Sequence, residues 1–238
     1  MAIMNSQVAV LYARADSNYR ALDQCDVWDA ERDARRWPGG VPVVAHPPCR
    51  AWGRLRAFAK PREDEKALAL HAVECVRRWG GVLEHPAGST LWAAAGLPVP
   101  FAGPDDWGGW TLPVSQFWWG HKAEKRTWLY IVGAAPDELP PIPFRMGYPT
   151  HIIGSSMRRK GERGWMPGTT KAEREHTPPA LAVWLVEVAR ACAGVGHLQK
   201  PPDEFAARTV QQPRGLLHSP AAFIEGGAQL ERFTPWQK

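Results

Sequence analysis

A cysteine that directly follows two prolines is the first candidate for chemistry in this sequence. Cys49 ends the segment VPVVAHPPC, in which an apolar run leads into the proline pair. The prolines restrict the backbone before Cys49, so the thiol stands on a stiffened loop. Arg50 and Arg54 follow, and nearby positive charge favours the nucleophilic thiolate. Cys49 is therefore a candidate nucleophile; the alternative is a small apolar side chain at the tip of a rigid turn.

Two charged residues elsewhere in the chain extend this candidate site. Glu84 ends a short apolar segment and precedes His85 and Pro86. A carboxyl group there can exchange hydrogen bonds with a flat polar ring; its alternative role is a helix cap or a salt bridge. Arg126 begins the apolar run RTWLYIVG, where the alternative is a surface ion pair. His46 and His85 are each as compatible with a structural role as with orienting a neighbour.

The elements that must position these residues follow from the apolar pattern. Apolar runs predict five strands, at 7–13, 26–29, 41–45, 82–84 and 126–132. Spacing of three and four residues predicts helices, at 30–37, 63–79 and 180–192. This alternation indicates an α/β domain with a largely parallel sheet. Ligands gather at the C-terminal ends of such strands, so we expect Cys49 and Glu84 to be neighbours.

Length and composition set the wider frame. We divide the 238 residues into four regions. These are a catalytic core (1–133), a small basic region (134–176), a closing helix of the core (177–195) and a C-terminal extension (196–238). Residues 87–115, which are rich in Gly, Pro and Trp, read as irregular. The net charge of +5 and the pI of about 9.2 are compatible with a nucleic-acid partner.

Cysteine usage and hydropathy indicate the environment of the chain. No pair of the four cysteines has CxxC spacing, so we expect reduced thiols and no metal. No apolar stretch approaches the ~20 residues of a membrane span. We expect a cytoplasmic protein without a membrane partner, most simply a monomer.

The order of the motifs resembles that of the DNA cytosine-5 methyltransferases. That family carries Pro-Cys after a strand, then a Glu-Asn-Val triad, Gln-x-Arg-x-Arg before a strand ending in Val-Gly, and Asn-x-x-Pro-Pro opening the last helix. The counterparts here are PC at 48–49, EHP at 84–86, EKRTWLYIVG at 124–133 and HTPP at 176–179. The resemblance spans roughly residues 7–192. It implies a Rossmann-like methyltransferase fold with a mostly parallel sheet and a reduced target-recognition insert.

The resemblance also implies a chemistry and a set of site residues. The Cys49 thiolate would add to C6 of a flipped-out cytosine, Glu84 would hold the N3/N4 edge, and Arg126 would assist at O2. S-adenosylmethionine would supply the methyl group. Its expected contacts are Tyr12, Ala13, Asp16, Asp29, Pro47 and Pro48. DNA, double- or single-stranded, would be the partner, held by basic residues. These are Arg50, Arg54, Arg158, Arg159, Lys160 and Arg163. Such a compact chain is typical of a phage modification enzyme.

Two other hypotheses stay open. The first strand runs into the segment 14–18, RADSN, which lacks the glycines that allow close approach to a cofactor. The scaffold could therefore serve another donor or a nucleotide substrate. Alternatively, the basic region and the 13 tryptophans are also compatible with a nucleic-acid-binding protein without catalysis. The tryptophans within 87–120 could stack on bases or form a core patch; they are Trp92, Trp107, Trp110, Trp118 and Trp119.

Overall fold

The computed structural model describes residues 7–54, 56–154 and 156–194. Six strands form one sheet, namely β1 (Val8–Leu11), β2 (Cys25–Trp28), β3 (Val43–Ala45), β4 (Gly81–Pro86), β5 (Trp110–Ser115) and β6 (Arg126–Val132). Their order across the sheet is β2-β1-β3-β4-β6-β5. Strands β1 to β4 pair in parallel, and β6 runs antiparallel to both β4 and β5. The predicted α/β class with a mostly parallel sheet is confirmed.

Helices cover both faces of this sheet. Every residue of β1 and β3 is buried, as expected for parallel strands covered on two sides. Helix α1 (Glu65–Trp79) connects β3 to β4 and packs its apolar stripe against one face. Helix α4 (Pro179–Ala191) packs against the other face. Both helices were predicted from their spacing of apolar residues, and the structure confirms them.

The order of the strands locates a crevice. From β1 the chain moves to β2 on one side, and β3 then pairs with the other side of β1. In doubly wound sheets such a reversal leaves a ligand crevice at the C-terminal ends of the two central strands. These ends are Leu11 and Ala45, which are direct partners in the register. The loops that follow them carry Tyr12 and the HPPC motif.

Two sequence predictions are wrong. Residues 87–115 are not irregular throughout, because they contain helix α2 (Leu91–Ala94) and strand β5. Pro113 and the glycines before β5 obscured that strand, and the edge of a sheet tolerates proline because one side of its backbone needs no ladder partner. The helix predicted at 30–37 is only a 3-10 turn at Ala34–Arg36, which ends at Trp37 before a proline.

The region between β6 and α4 is built mainly of loops. It contains a 3-10 turn (Pro136–Glu138) and the five-residue helix α3 (Lys171–Glu175). Isolated bridges join Ala123 to His151 and Ile152 to Gly168. The predicted C-terminal extension, 196–238, lies outside the described residues. Within the described ranges, none of the helices combines the length and the apolar character needed to cross a bilayer.

Candidate functional site

The register of the parallel strands brings three polar residues to one level. Leu11, Ala45 and Leu83 pair across β1, β3 and β4. The residues that directly follow them in the chain are Tyr12, His46 and Glu84, which therefore lie side by side across the sheet. Cys49 lies three residues beyond His46. Its carbonyl oxygen accepts hydrogen bonds from the backbone amides of Trp52 and Gly53, at 3.1 and 2.8 Å, so the loop closes into a fixed turn. Cys49 thus follows β3 as predicted, whereas Glu84 lies within the adjacent parallel strand β4, which continues past its predicted end to Pro86.

Glu84 stands at the centre of a row of hydrogen bonds. Its Oε2 accepts from His46 Nδ1 at 3.1 Å, and its Oε1 accepts from Gln116 Nε2 at 3.0 Å. The Gln116 amide also donates to the Thr127 hydroxyl at 3.0 Å. At the other end, the Tyr19 hydroxyl lies 2.8 Å from His46 Nε2. This polar row (Tyr19, His46, Glu84, Gln116 and Thr127) crosses the ends of the strands.

The partners of Glu84 keep it ionised. Burial disfavours the charged form, but the hydrogen bond from His46 and the positive charge of Lys125 outweigh burial and lower the pKa of Glu84 from 4.5 to about 2. An ionised carboxylate only accepts hydrogen bonds, so His46 carries a proton on Nδ1. Burial raises the pKa of Tyr19 well above 10. The phenol therefore keeps its proton, and we assign it as the donor to His46 Nε2.

Cys49 rests as a thiol. Although the residue is exposed, the protein around its sulfur and the negative charge of Glu84 raise its pKa above 9.0, against an opposing effect of Lys125. The expectation that the following arginines favour the thiolate is wrong. Arg50 pairs with the buried carboxylate of Glu65, and Arg54 lies exposed at the surface. The thiolate is consequently a minor form at neutral pH.

Arg126 lies outside the polar row. Its side chain is 73% exposed and pairs with Glu124 at 3.1 Å. Its carbonyl oxygen accepts from the backbone amide of Ala87 at 3.1 Å, which places the residue beside the loop after β4. The preceding residue, Lys125, is the cation whose charge acts on both Glu84 and Cys49. The positive charge of this site therefore comes from Lys125.

His85 has a structural position. It is fully buried, and its ring lies 6.3 Å from that of Trp92. Burial lowers its pKa to about 4, against opposing effects of Glu84 and of the backbone of Pro48. A neutral imidazole in this place packs between β4 and the loop that carries Cys49.

The residues expected to hold S-adenosylmethionine do not form an open site for this methyl donor, because their polar groups are already bonded within the protein. Asp29 Oδ1 accepts from the amides of Glu31 and Arg32 at 3.0 and 3.1 Å, while its Oδ2 pairs with Arg20. This acid is thus engaged in its own loop and cannot serve a ribose diol without giving up these partners. The Tyr12 hydroxyl is likewise bound, at 2.7 Å from the Nδ1 atom of a histidine on α1.

The other residues expected to contact the methyl donor are either ion-paired with protein side chains or at least partly buried. Asp16 is exposed and pairs with Arg14 at 2.9 Å and with His176 at 3.1 Å. Ala13 and Pro47 are buried, and Pro48 is half-buried. Tyr12 adopts a positive φ of 62°, the left-handed backbone that glycine provides at no steric cost. The backbone at Tyr12 therefore has the conformation of a glycine in a glycine-rich loop, but it carries a large side chain.

The predicted nucleic-acid contacts are at the surface. The four basic residues of the segment 157–163 are exposed; they are Arg158, Arg159, Lys160 and Arg163. Arg158 donates to the carbonyl oxygen of Arg163 at 2.8 Å, which closes this loop. Trp92 and Trp119 are 2% and 5% exposed, so these two tryptophans belong to the core. Trp110 donates to the Ala134 carbonyl oxygen at 2.8 Å and is half-buried.

Sequence reasoning missed three members of the polar row and left His46 undecided. Tyr19 lies in the polar segment SNYRA, and Gln116 directly follows the segment 87–115 that was predicted to be irregular. Thr127 was read only as part of a strand. The available signal was a polar residue inside an apolar context, such as Gln116 within PVSQFWW. Only the folded chain shows which polar residues meet.

No protein-family model, curated protein or solved structure matches this chain. Within the part of the chain that the structure describes, no group of three or more His, Cys, Asp and Glu side chains is arranged to hold a metal ion. The function is therefore inferred from the geometry of the site.

Proposed function

We propose that the protein is a DNA cytosine-modifying enzyme of the cytosine-5 methyltransferase type, acting through a covalent bond between Cys49 and C6 of the base. One observation carries the proposal. Cys49 follows β3, Glu84 lies near the end of the adjacent parallel strand β4, and Glu84 is held as an ionised acceptor by His46 and Gln116. A nucleophile beside an acceptor for a ring edge is the pair that addition to cytosine requires.

The topology supports the finer fold that the sequence predicts. Four parallel strands are flanked by the antiparallel β6, and helices lie on both faces. The crevice at the β1/β3 reversal lies next to the loop of Cys49. A Rossmann-like methyltransferase domain would use this edge, because the ligands of doubly wound sheets bind there.

The proposed addition proceeds in balanced steps. Cys49 gives its proton to solvent, and the thiolate forms the S–C6 bond while the C5=C6 electron pair moves to C5. The negative charge that develops on the ring lies in the field of Lys125, whose charge already reaches Cys49. The enamine takes a proton from water at C5. Water then removes the original C5 hydrogen as a proton, the C5–H electron pair restores the C5=C6 bond, and the S–C6 pair leaves with the Cys49 thiolate. Solvent hydrogen thus enters C5 without any methyl donor.

Glu84 selects the base in this scheme. An ionised carboxylate has no proton to donate, and it therefore accepts from the exocyclic amine of cytosine. Thymine and uracil present a carbonyl oxygen at the same position, and two acceptors repel each other. His46 and Gln116 each occupy one acceptor site of the carboxylate, which leaves further lone pairs of both oxygens for the amine of the base.

The exchange of C5 hydrogen tests the proposal directly. DNA containing cytosine is incubated with the protein in deuterated water, and deuterium at C5 is measured by mass spectrometry. We expect incorporation that Cys49→Ser abolishes. Cys25→Ser is the matched control, since Cys25 is a half-buried free cysteine at the start of β2. Equal incorporation by Cys49→Ser, or none on any DNA that the protein binds, contradicts the proposal.

A second candidate function concerns the donor. The engaged Asp29 and the bulky Tyr12 favour a co-substrate other than S-adenosylmethionine on the same scaffold. Calorimetry with S-adenosylmethionine separates the two functions. Micromolar binding supports methyl transfer. Cysteine-dependent exchange without such binding supports a cytosine-modifying enzyme that uses another donor or acts on a nucleotide.

A further inference from the structure

A short segment near the candidate site exposes large apolar side chains to solvent. Phe144, Met146 and Tyr148 are 73%, 95% and 94% exposed. They alternate along the chain with Arg145 and Gly147. Soluble monomers rarely present a contiguous group of large apolar side chains unless it serves an interaction. The segment 144–148 is therefore a candidate interaction surface.

Two contacts anchor this segment beside the polar row. The Phe144 ring packs edge-on against Trp118, with centroids 5.0 Å apart. The Arg145 guanidinium lies 4.9 Å from the centre of the Phe117 ring. Phe117 and Trp118 directly follow the glutamine that donates to Glu84 at 3.0 Å. Phe144 thus contacts a residue that lies two positions along the chain from Gln116, a direct partner of Glu84.

A basic loop closes onto the same stretch of chain. The segment 157–163, MRRKGER, holds four cationic residues and one acidic residue. Within the described ranges none of those four cations forms an ion pair, and all four are exposed. The loop is closed at its base by the Ile152–Gly168 bridge, four residues after Tyr148. Unpaired surface cations gain most from phosphates, because binding releases their counterions.

The secondary structure of this region favours an unpaired strand over a duplex. Proteins read the major groove with an α-helix or a two-stranded ribbon. Between β6 and α4, the described residues form only a 3-10 turn, the five-residue α3 and isolated bridges. Single strands are instead held by exposed aromatic rings that stack on bases, together with a cationic surface for the backbone. The segments 144–148 and 157–163 supply these two features.

We propose that the segments 144–148 and 157–163 form a binding surface for single-stranded nucleic acid, which delivers an unpaired cytosine to Cys49. Phe144 and Tyr148 stack on bases that flank the target, and Arg159, Lys160 and Arg163 contact phosphates. The inference rests on the proposed function and deepens it, because it makes the unpaired strand the substrate. Stacking and phosphate contacts are shared by DNA and RNA strands, so both are compared in the test.

Fluorescence anisotropy with labelled oligonucleotides tests the surface. The probes are a DNA strand, an RNA strand of the same sequence and the matched DNA duplex. We expect the strands to bind more tightly than the duplex, and Tyr148→Ala to weaken strand binding by about 5-fold or more. Tyr148→Phe, which keeps the ring, retains the affinity. Phe101→Ala is the matched control, because Phe101 is 93% exposed on the loop that leads to β5 and should not contact the strand.

The salt dependence of binding tests the phosphate contacts separately. Replacing Arg159, Lys160 and Arg163 by alanine should lower the slope of log K against log salt by about 2, since each phosphate contact on a single strand contributes ~0.7. An unchanged slope overturns the assignment of these cations. Tighter binding of the duplex, or equal losses in Tyr148→Ala and Phe101→Ala, overturns the surface as a whole.

Further outcomes keep this inference distinct from the proposed function. Strand binding that depends on Tyr148, without C5 exchange on any substrate, supports the surface and contradicts the chemistry. C5 exchange that Tyr148→Ala leaves unchanged on single strands supports the chemistry and overturns the surface. Analytical ultracentrifugation, which measures self-association, distinguishes one more outcome. Self-association that Tyr148→Ala abolishes, while strand binding stays the same, identifies the segment as a contact between copies of this chain and also overturns the proposal.

Discussion

Two polar networks involve strands β4 to β6, and they differ in charge balance. In the first, the polar row, the Glu84 carboxylate is bound by His46 and Gln116, and no Lys or Arg nitrogen lies within ion-pair distance among the described residues. In the second, Asp105 before β5 pairs with Arg77 of α1 at 3.2 Å and accepts from the Tyr130 hydroxyl at 2.7 Å. Asp105 is neutralised by direct contact with Arg77, whereas Glu84 has no Lys or Arg partner at contact distance among the described residues.

The difference shows what each network can do. Asp105 also accepts from the amides of Trp107 and Gly109, at 3.0 and 2.8 Å, so its acceptor sites are occupied by the protein. It ties a helix to a loop and leaves no capacity for a ligand. Glu84 retains negative charge that is unpaired at contact distance, next to an exposed thiol. Polar networks that are balanced hold structure, whereas an unbalanced one is a candidate for chemistry.

The largest expected effect comes from neutralising the two anions in turn. Glu84→Gln should lower the C5 exchange rate of the folded protein by ~100-fold or more, because the amide no longer provides an ionised acceptor. Asp105→Asn should leave that rate within about twofold, since Asp105 does not contact the base. It should destabilise the fold by about 3 kcal/mol, because Arg77 loses its charged partner. Exchange kinetics and urea unfolding measure both effects; loss of exchange in Asp105→Asn would contradict the comparison.

The free energy of unfolding should depend on pH more strongly in the native protein than in Glu84→Gln between about pH 4.5 and about pH 2. The folded pKa of Glu84 is depressed, so the unfolded chain binds the proton more readily and stability falls as the pH drops from about 4.5 to about 2. At about 1.4 kcal/mol for each pH unit, this corresponds to about 3 kcal/mol. Urea unfolding across this range should show a shallower slope for Glu84→Gln than for the native protein. Identical slopes would mean that Glu84 is not held as a carboxylate.

A smaller effect is expected from removing one hydroxyl in each network. Tyr19→Phe should slow C5 exchange by about 10-fold, because His46 Nε2 loses its hydrogen-bond donor and the ring that donates to Glu84 is held less firmly. Nitrogen-15 NMR of the histidine rings should show a changed Nε2 signal, while Nδ1 keeps the proton that it donates to Glu84. Tyr130→Phe should cost about 1 kcal/mol of stability without slowing exchange. An unchanged Nε2 signal in Tyr19→Phe would refute the positioning role of Tyr19.

The smallest effect concerns the reactivity of the thiol. The thiolate fraction of Cys49 grows with pH, so alkylation by iodoacetamide should accelerate steadily from pH 7 to pH 9. The negative charge of Glu84 raises the pKa of Cys49. Glu84→Gln should therefore speed alkylation by about 3-fold while it abolishes exchange. Asp105→Asn is the control that should leave the alkylation rate at Cys49 unchanged; peptide mass spectrometry measures the rate at this residue.

The sequence was a good guide wherever the pattern was local. The spacing of apolar residues predicted α1 and α4, and continuous apolar runs predicted β1 and β3, because burial on one stripe or on two faces leaves a direct periodic signal. Strand β5 was missed because its proline and its flanking glycines carry the signal of a loop. The edge position that makes proline tolerable is a property of the assembled sheet.

The amino-acid sequence by itself determined the class of the domain, the position of Cys49 after β3 and the position of Glu84 near the end of β4, since these follow from short apolar runs and the residues that end them. Only the tertiary structure decided their surroundings. His46 and Gln116 contact Glu84 from separate segments, Tyr19 contacts His46 from a third, and Lys125 supplies the positive charge expected of Arg126. Hydrogen bonds and charge effects depend on distances in space, and residues far apart in the chain acquire those distances only when the sheet has formed.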